Sequence, residues 1–174
     1  MTTLSRNRLL GLGLAALVLI ADQAVKWWVT GPLGLIEDGQ QLVLNPIFNL
    51  TRTSNYGVSL GIFTAHSNAM RWALVAMTAA IALVVLVWLL RERKLSDIIP
   101  LGMVLGGALG NIRDRAVFGY VIDYADLHFG TFQPFLVFNL ADAAITIGVV
   151  IILARSFLIR EKPPQEAGAP ATET

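Results

Sequence analysis

Four long apolar stretches dominate this sequence of 174 residues. An α-helix needs about 20 predominantly apolar residues to cross the hydrocarbon core of a bilayer. The stretches predict membrane-spanning helices at residues 9–29, 72–90, 98–115 and 135–154. Only 14% of the residues are charged, whereas soluble domains are usually about a quarter charged. The sequence therefore predicts an all-α polytopic membrane protein with four transmembrane helices.

The positions of lysine and arginine predict the orientation, because cytoplasmic loops are enriched in both. Placing both termini in the cytoplasm puts most of the 13 basic residues inside. These are Arg6, Arg8, Arg91, Arg93, Lys94, Arg155, Arg160 and Lys162. The start of the chain also has features of a signal peptide, but no Ala-x-Ala cleavage site follows the apolar run. We interpret it as an uncleaved first helix.

The remaining segments are a loop region and a tail. Residues 31–69 alternate apolar residues with turn residues, which predicts short strands at 41–49 and 55–63 and a small extracytoplasmic β-sheet. Residues 163–174 are rich in Pro, Ala, Glu and Thr and are predicted to be a disordered cytoplasmic tail. Residues 1–162 would then form a single transmembrane domain.

The composition also excludes several kinds of chemistry. The absence of cysteine excludes disulfides, thiolate catalysis and Cys-ligated metal sites. A formal net charge of +1 argues against nucleic-acid binding. The two histidines, His66 and His128, form no His-Glu-x-x-His motif, so no metal site is predicted.

Ionisable and amide side chains cluster toward the extracytoplasmic ends of the predicted helices, where each is costly inside a bilayer. The cluster consists of Asp22, Asn111, Asp114, Arg115, Asp123, Asn139 and Asp142. Helical spacing puts three pairs on shared faces, namely Asp22–Lys26, Asn111–Arg115 and Asn139–Asp142. Polar side chains can simply hold helices together, but that role does not explain several acids on one side. Asp142 is expected about two helical turns, or about 10 Å, below the start of its span.

A catalytic pair of carboxylates fits this cluster best. Two neighbouring carboxyl groups share one proton, so that one serves as general base and the other as general acid. Asp123 and Asp142 are the best-placed pair, and Asp114 and Asp126 remain competitors. A Ser-Lys dyad of Lys26 with Ser54 or Ser59 is an open alternative.

Glycines on the third predicted helix indicate close packing. Gly102, Gly106 and Gly110 form a doubled Gly-x-x-x-Gly pattern, which lets a neighbouring backbone approach. Packing within one chain is favoured over homodimerisation, so a monomer is expected.

Five motifs give the sequence a family resemblance. They are Asp22-Gln23-x-x-Lys26, Asn55-x-Gly57, Gly106-Gly107-Ala108-x-Gly110-Asn111-x-x-Asp114-Arg115, Gly119-x-Val121-x-Asp123 and Phe138-Asn139-x-Ala141-Asp142. With these motifs in this order, the sequence resembles the lipoprotein signal peptidases (signal peptidase II), aspartyl peptidases of the bacterial inner membrane. One departure is Ser59-Leu60, where the family often has Ala-Phe, and it bears on local packing and substrate shape.

The resemblance implies four transmembrane helices, a small extracytoplasmic sheet and a mobile outer segment. The glycines of that segment, Gly57 and Gly61, further predict that it closes over the site. The resemblance also implies cleavage of diacylglyceryl-modified prolipoproteins just before the lipidated cysteine, without metal or cofactor, at the periplasmic side of the inner membrane. By motif, Asp123 and Asp142 are the catalytic pair. Residues implied to support the pair or to contact substrate or the antibiotic globomycin are Asp22, Lys26, Asn55, Gly57, Asn111, Arg115 and Asn139.

Two other classes of protein are compatible with intramembrane acids. A small transporter or channel uses such acids to relay protons or bind ions, but it would carry charges at several depths. A scaffold protein would leave the acids unexplained. The one-sided cluster therefore favours the peptidase.

Overall fold

A computed structural model of the protein describes residues 3–57, 68–130 and 132–158. The described chain forms four helices and three strands, in the order α1 (Thr3–Thr30), β1 (Gln41–Asn45), β2 (Phe48–Asn55), α2 (Asn68–Arg91), α3 (Leu95–Val117), β3 (Val121–Leu127) and α4 (Leu140–Leu158). All four helices are long and apolar enough to cross a membrane, as the sequence predicts. The predicted tail at 163–174, together with Ser59, Leu60 and His66, lies outside the described residues.

Helix α3 is the centre of the bundle, and the other three helices pack against it. Its glycines make the close approach possible. A Cβ atom on Gly107 would lie 2.5 Å from the carbonyl oxygen of Ala141 in α4. Gly106 likewise lies directly against the backbone of Ala15 in α1. Because lipid offers no hydrophobic driving force between helices, such close van der Waals packing stabilises a membrane bundle.

The three strands form one antiparallel sheet in the order β1-β2-β3. Strand β2 pairs with β3 so that Thr53 lies opposite Asp123 and Asn55 opposite Val121, with a bulge between Leu50 and Thr53. The sheet follows the carboxyl ends of α1 and α3, so it lies at one end of the bundle. The small predicted sheet is therefore present, with different strands. A turn divides the predicted strand at 41–49 into β1 and the start of β2. The predicted strand at 55–63 lies mostly in residues that the structure does not describe. The sequence predicted no strand where β3 forms.

Helix α4 begins later than its predicted span, at Leu140. Of the residues just before it, Phe138 forms an isolated bridge to β3, where the peptide N–H of Ala125 donates to the carbonyl oxygen of Phe138 at 2.7 Å. Asp142 consequently lies in the first turn of α4. The expected depth of two helical turns below the start of the helix is wrong.

Candidate active site

Asp123 on β3 and Asp142 on α4 are joined through one amide side chain. Asn139 is fully buried, and its Nδ2 donates to Asp123 Oδ1 at 2.7 Å. Its Oδ1 accepts from the peptide N–H of Asp142 at 2.9 Å, and its own peptide N–H donates to Asp142 Oδ2 at 3.2 Å. One residue thereby fixes the positions of both acids.

The local sequence explains why Asn139 and Asp142 adopt this arrangement. Asn139 immediately precedes α4 and Asp142 is the third residue of the helix, and their side chains and peptide N–H groups bond reciprocally. This pattern is a capping box, which satisfies two donors that would otherwise lack partners at a helix start. A carboxylate at this end also interacts favourably with the helix dipole.

Two more amides hold the other carboxylate oxygens. Asn55 Nδ2 donates to Asp123 Oδ2 at 2.9 Å, and Asn111 Nδ2 donates to Asp142 Oδ1 at 2.8 Å. Asn111 is itself linked to Asn139, whose Nδ2 lies 3.3 Å from Asn111 Oδ1. Three amides therefore surround the two acids: Asn55 from β2, Asn111 from α3 and, at the centre, Asn139 from the residue before α4.

Gly57 and Arg115 complete this region. The peptide N–H of Gly57 donates to Asn55 Oδ1 at 2.8 Å, and Gly57 has a φ of 82°, a left-handed conformation that favours glycine. The turn fixes the Asn55 side chain that holds Asp123. Arg115 is partly buried, and its positive charge interacts with both Asp142 and Asp123. Both residues belong to the set predicted from the sequence.

The electrostatic environment favours a proton on Asp123. Burial raises the pKa of Asp123 to about 6, and the nearby negative charge of Asp142 adds to this effect. Hydrogen bonds from Asn55 and Asn139 act in the opposite direction, as does the charge of Lys26. A buried acid beside a second acid is the arrangement expected of a pair that shares one proton.

Asp22 and Lys26 lie in a second buried cluster, with Asp114, and none of the three bonds directly to the carboxylates of Asp123 or Asp142. Lys26 Nζ lies 2.8 Å from Asp22 Oδ2 and 2.7 Å from Asp114 Oδ2. Asp114, a competitor for the catalytic pair in the sequence, is fully buried and ion-paired with Lys26. A Ser-Lys dyad with Ser54 is not formed, since the Ser54 hydroxyl donates to Asp38 at 2.9 Å.

Two side chains near the site play roles that the sequence did not reveal. Asp126 is buried and accepts hydrogen bonds from Thr51 and Gln133, so it is satisfied away from the Asp123–Asp142 pair. Tyr124 accepts the peptide N–H of Leu140, the first residue of α4, on its hydroxyl oxygen at 3.1 Å. Burial raises the pKa of Tyr124, which keeps the phenol neutral. The sequence indicates that Tyr124 lies near the site only through its position directly after Asp123.

An apolar groove opens beside Asp142. It has a volume of about 300 Å³. It is lined by Phe135, Phe138, Asp142, Ala143, Thr146 and Ile147. Among the described residues, no group of three or more histidine, aspartate or glutamate side chains is arranged to hold a metal ion. The site thus combines a buried pair of acids, a shell of amides and an apolar surface.

Comparisons with known proteins give a consistent result. The family model for signal peptidase (SPase) II matches residues 14–158. A lipoprotein signal peptidase of Rhizorhabdus wittichii is 51% identical over 163 residues, covering 93% of this chain and 94% of that protein. One from Sphingopyxis alaskensis is 48% identical and covers 94% of each chain. A solved structure described as a bacterial membrane enzyme, determined by the in meso method at 1.9 Å resolution, aligns with a TM-score of 0.74 at 26% identity, covering 86% of this chain and 94% of that one.

Proposed function

This chain belongs to the signal peptidase II family, and we propose that it is an aspartic endopeptidase of the bacterial inner membrane. Its substrates would be diacylglyceryl-modified prolipoproteins. The bond cut is the one on the N-terminal side of the lipidated cysteine, and the released fragment is the signal peptide. Asp123 and Asp142 are the catalytic residues, and no metal or cofactor takes part.

The observation that carries this proposal is the bonding of Asn139 to both acids. Asp142 is half-buried and accepts the peptide N–H of Asn139 at the start of α4, where the helix dipole stabilises negative charge. Asp123 is 1% exposed, and burial raises its pKa to about 6. In the proposed mechanism Asp123 therefore carries the shared proton and Asp142 acts as the base.

The reaction follows from these protonation states. Asp142 takes a proton from water, the water oxygen bonds to the carbonyl carbon, and Asp123 gives its proton to the carbonyl oxygen. When the C–N bond breaks, Asp142 returns its proton to the departing nitrogen of the cysteine. Asp123 recovers a proton from the diol as the carboxylic acid forms. The pair thus ends in its starting state.

The apolar groove beside Asp142 fits a substrate that stays partly in lipid. Phe135, Phe138 and Ile147 line it, so acyl chains or the apolar signal peptide can lie against them while the backbone reaches the acids. The enzyme then acts as a monomer, at the periplasmic face, on a substrate it need not extract from the bilayer. Globomycin is expected to inhibit it at this site.

The test is cleavage of a purified diacylglyceryl prolipoprotein, followed by mass spectrometry. The expected result is loss of the mass of the signal peptide, blocked by globomycin, with no reaction of the unlipidated precursor. Asp123→Asn and Asp142→Asn should each abolish turnover, because an amide can neither accept nor supply the transferred proton.

Asp126→Asn is the matched control, because Asp126 is a buried acid on the same strand as Asp123 whose hydrogen bonds go elsewhere. It should retain turnover. Near-normal turnover by a folded Asp123→Asn or Asp142→Asn variant would remove that residue from the catalytic role.

A further inference from the structure

We propose that Lys26 is a positioning residue that holds Asp123 and Asp142 at their working separation, acting through Asp22 and Asp114. The proposal rests on the proposed function, because it concerns the same two acids. In this role, side chains of α1 and α3 help to position the catalytic acids without contacting the substrate.

Lys26 is isolated from solvent together with its two partners. Its side chain is 3% exposed, and those of Asp22 and Asp114 are fully buried. The amine lies 2.8 Å from Asp22 Oδ2 and 2.7 Å from Asp114 Oδ2. A single cation therefore joins one carboxylate on its own helix to another on α3.

Each of these two carboxylates also bonds to the backbone next to a catalytic acid. Asp22 Oδ1 accepts the peptide N–H of Ala141 at 3.1 Å, and Ala141 directly precedes Asp142. Asp114 Oδ2 accepts the peptide N–H of Ile122 at 3.3 Å, and Ile122 directly precedes Asp123. Lys26 is thus connected to each acid by the same path, through one carboxylate and one peptide group.

Neighbouring groups leave this cluster little freedom. Gln23 Nε2 donates to Asp22 Oδ2 at 3.0 Å and to Asp114 Oδ1 at 2.9 Å. A Cβ atom on Gly110 would lie 2.6 Å from Asp22 Oδ2, so the glycine provides the space for this carboxylate. Arg113, at the exposed rim, lies 3.8 Å from Asp114 Oδ1 and adds a second positive charge. Arg115 also interacts electrostatically with Asp114, so the charges of the two carboxylates are fully balanced by nearby cations.

Helix packing alone does not explain so costly an arrangement. Apolar residues of similar volume usually stabilise a buried position as well as an ion pair does, or better. The close contacts of α3 through Gly106 and Gly107 already hold the helices together. The ion cluster additionally fixes the positions of the peptide groups of Ala141 and Ile122, which directly precede the two acids. This matters for catalysis because displacing reacting groups by about 1 Å lowers the rate about 100-fold.

The experiment compares Lys26→Met, Asp114→Asn and Asp114→Leu in the full-length enzyme, using a diacylglyceryl prolipoprotein as substrate. Thermal unfolding is followed by tryptophan fluorescence, and kcat and KM are measured well below the unfolding temperature of each variant. We expect kcat of Lys26→Met to fall about 100-fold with little change in KM, because the apolar groove is untouched. Asp114→Asn keeps an oxygen for the Ile122 N–H and should retain more kcat than Asp114→Leu, which has none.

Asp97 provides the matched control. Its carboxylate accepts from Arg155 Nε at 2.7 Å, so this ion pair joins α3 to α4 at the opposite end of the bundle, as the Lys26–Asp114 pair joins α1 to α3. Asp97→Asn and Asp97→Leu should lower the unfolding temperature while kcat stays at the wild-type value.

Each result decides the proposal. A wild-type kcat in folded Lys26→Met overturns it, and so does equal kcat in Asp114→Asn and Asp114→Leu. If Lys26→Met does not fold, the difference in kcat between Asp114→Asn and Asp114→Leu decides the proposal alone. Failure of the proposed function has a different signature, namely no cleavage by the wild type or continued cleavage by Asp123→Asn.

Discussion

Among the individual side chains, Asp123 has the environment with the clearest consequence for pH. Burial and the charge of Asp142 raise its pKa to about 6, and hydrogen bonds from Asn55 and Asn139 oppose that rise. A raised pKa means that the proton is present below pH 6 and is lost as the pH increases through that value. If the protonated acid is required, kcat/KM should fall about tenfold per pH unit above about pH 6.

Replacing Asn55 should move that fall in activity to higher pH. The Nδ2 donor of Asn55 stabilises the ionised form of Asp123, so Asn55→Ala raises the pKa of Asp123 further. A hydrogen bond to a charged group contributes about 1.5–3 kcal/mol, and one pH unit corresponds to about 1.4 kcal/mol. The expected shift is about one to two units upward, measured as kcat/KM from pH 4 to 9. Asn45→Ala, on exposed β1, should leave the profile unchanged, and a downward shift in Asn55→Ala would contradict this account.

The residues alone favoured Asp123 and Asp142 but left Asp114 and Asp126 as competitors, and the family resemblance added Asn55, Asn111 and Asn139, whose amides the structure places around the first two acids. The sequence did not indicate how Lys26 is used. The spacing of Asp22 and Lys26 predicts a pair within one helix, whereas the second partner, Asp114, lies on α3 and is reached only after folding. Pairings between distant segments are set by helix packing, which no local pattern records.

Among the helices, the start of α4 has two separable roles. Asn139 caps the helix and also donates to Asp123. Asn139→Ser keeps a good capping residue but has no amide to reach Asp123, so it should lose activity with little change in unfolding temperature. Asn139→Ala should lose activity and also about 1 kcal/mol of stability. Turnover assays and thermal unfolding of both variants check this, and equal stability of the two would show that the cap contributes nothing.

The glycines of α3 predict a graded response to added volume. A Cβ on Gly107 would lie 2.5 Å from a backbone carbonyl of α4, so Gly107→Ala should cost about 1–3 kcal/mol and displace the turn that carries Asp142. Gly13→Ala on α1 is the control, because nothing lies within 4 Å of the added Cβ. Thermal unfolding should separate the two variants, and a neutral Gly107→Ala would mean that the helices move apart freely.

The boundaries of the elements were less predictable than their number. Residues 135–139 are largely apolar, like α4, so composition does not mark where the helix starts. The helix starts directly after Asn139 because Asn139 and Asp142 form reciprocal hydrogen bonds that cap it. Strand β3 is buried along nearly its whole length, so it lacks the alternation of apolar and polar residues that identifies a half-exposed strand. Its acids are compatible with burial only because partners on other segments bind them.

For the bundle taken together, the two ends differ in chemistry. The sheet and the acids lie at one end, while the Asp97–Arg155 pair and the basic residues between α2 and α3 lie at the other. The distribution of basic residues predicts that the second end is cytoplasmic. The active-site end would then face the periplasm.

Single cysteines can test this orientation directly, because the chain contains none. Glu37→Cys, before β1, should react with a membrane-impermeant maleimide in intact spheroplasts. Ser96→Cys, at the start of α3, should react only after the membrane is permeabilised. Activity of both variants confirms that the fold is retained, and the reverse labelling pattern would invert the topology.

The groove beside Asp142 carries a consequence for how this enzyme is studied. Its walls of phenylalanine and isoleucine do not distinguish a substrate chain from the tail of any other amphiphile. If the groove receives the substrate as proposed, a solubilising detergent competes at that same surface. Apparent affinities then scale with the mole fraction of substrate in the micelle or nanodisc, and the bulk concentration alone does not define them.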